Sequence, residues 1–441
     1  MALFYQLLLN NTLAGTLNFI IWFAITFFVY LQTRSVMATS IIGGLYLVMT
    51  ASTGIWFGSL VDHHRKKNVM ISSSIVSVIA YSIAFAIYIF VGPDYFKHFN
   101  QPIFWVFVLS LMVGVVVGNL RNIALPTLVT LLVPADNRDK ANGLVGTAGG
   151  LSFMVTSIIS GLLVGYSGMY WVLILAVSVT VLLIIHLLTI HIDEKKLIHL
   201  HQQGTGEATT HSEDKSKIDL KGTFKIVSAI PGLLALILFT TFNNFLGGVF
   251  MSLMDAYGLS MVSVQVWGMI WGFLSTAFII GGLVIAKRGL GKNPLKSLFL
   301  ANTVIWLICC FFTIYPSIYP MVVGMFIYLC VVPFIEASEQ TILQKVVPLN
   351  RQGRVFGFAQ SIEQSASPLT AFMIGPIAQY IFIPFMTTGM GVQLIGSWFG
   401  VGDSRGIALV FTITGFIGLA VTLIAFSSKY YRLLSNRYLE N

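Results

Sequence analysis

The chain has 441 residues, of which 56% are hydrophobic and only 9% charged, with a net charge of +9. A soluble chain carries roughly 25% charged residues, so a water-soluble enzyme, a disordered protein and a secreted disulfide scaffold are all excluded by composition. The three cysteines, Cys309, Cys310 and Cys330, lie inside apolar runs and offer no disulfide framework.

In chain order, apolar runs occur at about 12–32, 39–61, 69–92, 102–132, 142–165, 169–191, 228–255, 264–286, 294–315, 319–346, 354–384 and 405–427. Each reaches the roughly 20 residues that a helix needs to cross a bilayer. The runs are continuously apolar rather than alternating, which argues against a β-barrel. The expectation is an all-α membrane protein with twelve transmembrane helices in two pseudo-symmetric six-helix halves. The first apolar run lacks a cleavage site and is expected to be a retained helix. Pro126 and Pro368 predict kinks in the fourth and eleventh helices.

The basic residues give the orientation. Of the 25 Lys and Arg residues, all but Arg34, Lys97, Arg121 and Arg405 fall in alternate loops and the C-terminal tail. That side is expected to be cytoplasmic, with both termini inside a multi-pass cell membrane protein. The positive balance therefore reads as loop anchoring, with no nucleic-acid partner. The predicted organisation is an N-terminal half at 1–191, a polar cytoplasmic linker at 192–225, and a C-terminal half at 226–441. His199, His201 and His211 in the linker match no tight metal-ligand spacing, so no metal is expected.

Two stretches repeat. "VPADNRDKANG" follows the fourth helix and "VPLNRQGRVFG" follows the tenth, with Pro134 and Gly143 matching Pro348 and Gly357. Duplicated halves are a recurrent transporter plan, with the binding site near the midplane.

The loop after the second helix reads "GSLVDHHRKK". It resembles the signature loop of the major facilitator superfamily: Gly58, an acid four residues on at Asp62, then Arg65, Lys66 and Lys67. That family usually places a basic residue and then a Gly after the acid, where this chain has His63 and His64. The resemblance covers nearly the whole chain, and "GRVFGFAQSIEQSASPLTAFMIGPIA" is most similar to the bacterial drug and macrolide efflux branch. It implies that Asp62 latches a neighbouring helix and that Gly58 allows close packing. The second-half copy, "GLVIAKRGLGK", keeps Gly282 but has Ala286 at the acid position. Two departures concern proton coupling: Gly114 to Gly118 contain no Arg, and Thr156-Ser157 stand where many antiporters have Gly-Pro.

Charges inside the spans are costly and are functional candidates. Arg121 lies about 20 Å from Pro134 along its helix, and Glu336 about 18 Å from Pro348. Glu339 is one turn after Glu336, and Glu363 lies about 14 Å into the eleventh helix. These four are expected to border a wet central cavity. Glu336 is the first choice for a proton-switching carboxylate and Glu363 the second; a fixed ion pair joining two helices, or contact with a cationic substrate, is the alternative. Cavity-wall candidates are Asn18, Trp22, Thr26 and Tyr30 on the first helix, Asn244 and Asp255 on the seventh, and Gln360 and Gln364 on the eleventh. No phosphate-cradling loop, redox motif or other cofactor site is present in the sequence.

The resulting expectation is a monomeric secondary transporter, not an enzyme, that exports small amphipathic molecules by proton antiport. A siderophore or metabolite exporter, or an importer of the same fold, are the alternatives.

Overall fold

The computed structural model describes residues 2–33, 36–97, 100–162, 168–192, 194 and 220–440, which are helical almost throughout and contain no strand. The helices are α1 (Ala2–Thr33), α2 (Val36–His63), α3 (Lys66–Val91), α4 (Pro102–Gly118), α5 (Arg121–Leu132), α6 (Arg138–Leu162) and α7 (Gly168–Thr189). After the linker come α8 (Leu220–Ala229), α9 (Leu233–Leu259), α10 (Val264–Arg288), α11 (Pro294–Phe311), α12 (Ile318–Val346) and α13 (Gln352–Ile377). Three short helices follow, α14 (Ile383–Thr387), α15 (Met390–Leu394) and α16 (Gly396–Phe399), before α17 (Asp403–Ser427) and α18 (Lys429–Glu440).

Eleven stretches among the described residues are long and apolar enough to cross a membrane, α4 and α5 counting as one. The remaining predicted span is α6. It has 25 residues, about 37 Å of helix, but Arg138, Asp139 and Lys140 in its first turn and many Gly, Ser and Thr lower its hydropathy. With it the twelve-helix plan is complete. Most of the linker, residue 193 and residues 195–219, lies outside the described residues, and with it the three linker histidines. Residues 220–225 of the expected linker already belong to α8.

The fourth span breaks at Asn119–Leu120, not at Pro126. The reason lies in its carbonyls. Val115 O accepts from Asn18 Nδ2 at 3.4 Å and Val117 O from Ser73 Oγ at 2.9 Å. Leu120 N then turns to Val117 O at 3.1 Å, a tighter three-residue bond. Pro126 sits inside α5 without ending it.

The repeat survives at the level of single bonds. Pro134 and Pro348 each open a short 3-10 turn, closed by Asn137 N to Pro134 O and by Arg351 N to Pro348 O, both at 2.9 Å. Arg138 Nε donates to Val133 O, and its counterpart Gln352 Nε2 donates to Val347 O.

The residues group into two compact units. The first comprises Met1–Ala141, Leu151–Thr223 and Val347–Ser361; the second comprises Asn142–Gly150, Phe224–Val346 and Ile362–Asn441. Asn142–Gly150 of α6 thus joins mostly second-half residues, and the start of α13 joins mostly first-half residues. Lipid gives helices no hydrophobic reason to associate, so small residues and polar bonds hold them. In the first unit a Cβ on Gly58 would lie 2.4 Å from Gly353 O, and one on Gly357 would lie 2.3 Å from Gly54 O. In the second, Gly143 lies against Ile285 and Ala286, and Gly150 against Phe278. Asn142 Nδ2 there donates to Thr341 Oγ1 at 2.8 Å and to Gln344 Oε1 at 2.9 Å. Aromatic clusters fill both interiors, around Phe28, Phe96 and Phe107 in the first unit and Phe250, Phe312 and Phe411 in the second.

Candidate functional site

The loop after α2 works as a capping device. Asp62 stands at the end of α2 and aims its carboxylate at the buried first turn of α13. Oδ1 accepts from Gly353 N at 2.6 Å and Oδ2 from Arg354 N at 2.9 Å. Arg354 Nε adds an ion pair at 3.7 Å, and the Asp62 side chain is only 2% exposed. Helix N-termini present unsatisfied N–H groups and a partial positive charge, so a carboxylate there is both cap and counter-charge. Gly58, one turn earlier, makes the approach possible.

The expected basic cluster divides by role. Arg65 is exposed, whereas Lys66 is buried. The backbone N–H groups of Lys66 and Lys67 donate to the two carboxylate oxygens of Glu194, both at 2.8 Å. Lys67 Nζ donates to Ile190 O at 2.6 Å. Glu194 therefore caps α3 from the far end of the half, a role that its place in a polar linker did not signal.

Arg121 is 3% exposed and held within the first unit. Its Nη1 donates to Asn10 Oδ1 at 2.6 Å, and its Nη2 donates to Ser74 Oγ. Asn10 in turn uses its amide on Leu183 O and on His186 Nδ1. Asn10 precedes the apolar run expected at about 12–32; α1 begins ten residues earlier, at Ala2, and so carries it on the helix. Arg121 also borders a small recess, lined by Asn11, Gly15, Asn18, Phe19, Trp22, Tyr46, Val115, Gly118, Asn119, Arg121 and Asn122. Asn119, Arg121 and Asn122, at the break between α4 and α5, all line it. Trp22 and Tyr46 stack with ring centroids 4.1 Å apart. Two of the predicted wall residues, Asn18 and Trp22, line this recess. Thr26 spends its hydroxyl on Trp22 O. The Tyr30 side chain lies outside the described residues.

The three glutamates belong to the second unit. Thr240 Oγ1 donates to Glu363 Oε1 at 2.8 Å. Glu339 and Glu363 lie within hydrogen-bonding reach of each other. Glu339 is 9% exposed, and its Oε1 has no hydrogen-bond partner. Glu336, one turn away on α12, is exposed and not in this knot. Thr240 was missed because nothing in an apolar helix distinguishes a hydroxyl that meets a carboxylate from one that bonds its own backbone.

The remaining wall candidates have other neighbours. Ser367 Oγ donates to Asn244 O at 3.1 Å, and Gly248 packs on Ser367 and Thr370, so this stripe of α9 is largely a seam against α13. Asp255 accepts from Trp267 Nε1 at 2.9 Å and Trp271 Nε1 at 3.3 Å. Gln360 is half-buried and Gln364 is exposed. Arg405, expected in an outer loop, is buried. It donates to Phe399 O, Tyr257 OH, Thr313 O and Ile314 O, and lies 4.3 Å from the Phe399 ring centroid. It stitches α9, the end of α11 and the 385–404 connector together.

The sequence model of the Major Facilitator Superfamily matches residues 7–371. Macrolide efflux protein A of Streptococcus pyogenes is 23% identical over 381 residues, covering 83% of this chain and 87% of that protein. Among solved structures, a bacterial homologue of the iron transporter ferroportin in an outward-facing state has a TM-score of 0.67 at 13% identity, covering 97% of this chain and 100% of that one. The human organic anion transporter MFSD10 (TETRAN) has a TM-score of 0.66 at 12% identity, covering 98% and 99%. The proton:xylose symporter XylE has a TM-score of 0.63 at 14% identity, covering 100% and 98%. These structures share the fold. The chain is a multi-pass membrane protein that belongs to the Major Facilitator Superfamily of transporters.

Proposed function

We propose that this protein is a monomeric secondary active transporter that exports small amphipathic, drug-like molecules from the cell by alternating access, in exchange for protons. It performs no covalent chemistry. It lies in the cytoplasmic membrane with both termini and the Asp62 loop inside.

The observation that carries alternating access is the Asp62 clasp on Gly353 and Arg354. It joins a first-half loop to a second-half helix through a few polar contacts, which break and re-form more readily than an apolar seam. Closed, the clasp holds the cytoplasmic ends together; released, it lets them part. The recess beside Arg121 supports an amphipathic substrate, since amides and stacked rings offer hydrogen bonds and apolar faces at once. The Glu339–Glu363–Thr240 knot supports proton exchange. Two carboxylates in contact repel strongly in a weakly polar surrounding, and one shared proton turns the repulsion into a hydrogen bond. The likeness to a macrolide efflux protein favours outward direction.

The test is export from cells that express the protein. A panel of amphipathic antibiotics and dyes is loaded, and efflux is followed with and without a proton uncoupler. Efflux that continues unchanged with the uncoupler removes the antiport reading. Accumulation instead of efflux reverses the direction.

A further inference from the structure

The clasp contains one group that the family pattern does not call for. His63 follows the latch acid directly, and its ring is used on both sides. Nδ1 lies 2.8 Å from Ser59 O, and Nε2 lies 2.6 Å from Arg354 Nη2. A backbone carbonyl only accepts, so Nδ1 carries the hydrogen. A guanidinium only donates, so Nε2 is the bare acceptor. Both partners are satisfied by one form alone, the neutral imidazole with its hydrogen on Nδ1.

We propose that His63 makes the latch sensitive to protons on the loop side, so that acidification there releases Arg354 and opens the clasp. This rests on the reading of the Asp62 contact as a gate.

The charge arrangement gives the direction. A proton on Nε2 removes the acceptor and sets a cation against the Arg354 guanidinium at hydrogen-bonding distance. The other groups facing the ring offer no compensation. Arg351, from the turn before α13, and His64, at its own helix end, also act on it as positive or potentially positive neighbours. The nearby acid, Asp62, has both oxygens committed to the amides of Gly353 and Arg354. The latched form thus binds the neutral ring, and the proton favours the unlatched form. By linkage, latching is complete on the alkaline side of the histidine range and is lost as pH falls through it. His64 differs. It is exposed, and its Nδ1 reaches only Leu60 O on its own helix, at 3.1 Å. In an exporter, the effect is to turn the molecule toward the cytoplasm when the cytoplasm turns acid.

The experiment is hydrogen–deuterium exchange of the purified full chain in nanodiscs, without substrate or gradient. It follows the peptide containing the Gly353 and Arg354 amides, from about pH 8 to about pH 5.5. Uptake is divided by that of His63→Gln at the same pH, which cancels intrinsic exchange. Gln keeps a neutral acceptor and does not titrate. The ratio is expected to be near one at pH 8 and to rise several-fold by pH 5.5. His64→Gln should follow the wild-type curve. His63→Ala, which loses the acceptor without gaining charge, should exchange faster at every pH with a flat ratio to His63→Gln. A wild-type ratio that stays near one throughout overturns the proposal, as does a pH response that His64→Gln removes. Because the readout needs no transport, a protein whose latch responds but which exports nothing would refute the exporter reading and leave this one standing.

Discussion

Asp62 and Arg354 meet through both backbone and side chain: one carboxylate oxygen accepts the Arg354 amide at 2.9 Å and faces its Nε at 3.7 Å. The acid therefore fixes where α13 starts as well as balancing a charge. Asp62→Asn keeps the shape but loses the charge and turns an amide donor toward a donor. Losing a helix cap of this kind costs about 0.5–2 kcal/mol, which moves a latch equilibrium by roughly 2- to 30-fold. Cysteine accessibility of loop-side positions on α13 should rise by that order, with export falling. Unchanged accessibility would show that the contact is not a latch.

Gly58 is predicted to be as intolerant as the acid, for a steric reason. A Cβ there lands 2.4 Å from Gly353 O and 3.1 Å from Arg354 Cα, both backbone atoms that cannot rotate away. Gly58→Ala should express and insert but open the clasp. Gly149→Ala is the control, since nothing lies within 4 Å of its added methyl; it should retain export.

The glutamates are predicted to differ. Glu339→Gln and Glu363→Gln each fill the place of the shared proton permanently, and each should abolish export driven by an imposed pH gradient. Substrate binding, followed by fluorescence quenching, should persist. Thr240→Val removes the hydroxyl donated to Glu363 and should weaken gradient-driven export without ending it. Glu336→Gln should alter substrate preference more than coupling. If Glu336→Gln alone uncouples transport, the knot is structural.

Arg121 is predicted to matter first as a structural cation. Asn10→Ala removes one of its acceptors and leaves a buried guanidinium short of a partner, at a cost of about 1–3 kcal/mol. The thermal unfolding midpoint in detergent should drop by several degrees. Arg405→Gln should lower it further, since its guanidinium donates to four acceptors on three separate segments.

The helix count, the repeat and the loop that carries Asp62 were legible in the sequence because each has a local signature. Apolar length marks a span, a copied Pro-to-Gly spacing marks the repeat, and Gly58 with Asp62 marks a loop that resembles the family's signature. The partners were not legible. Nothing near Asp62 names Gly353 and Arg354, which lie about 290 positions later. Depth along a helix put Glu336 and Glu339 together, but depth says nothing of which way a side chain turns, and only Glu339 meets Glu363. The break after Gly118 escaped notice because its cause is a set of hydroxyl and amide bonds to carbonyls rather than a proline.

The exchanged helix starts have one more consequence. At the start of α13 the joint is built from a carboxylate, a guanidinium and an imidazole; on α6 it includes the amide of Asn142 bonded to Thr341 and Gln344, and Gly143 packed on Ala286. Salt and acidity should therefore act directly on the joint at the start of α13, whose carboxylate, guanidinium and imidazole all carry or can carry charge.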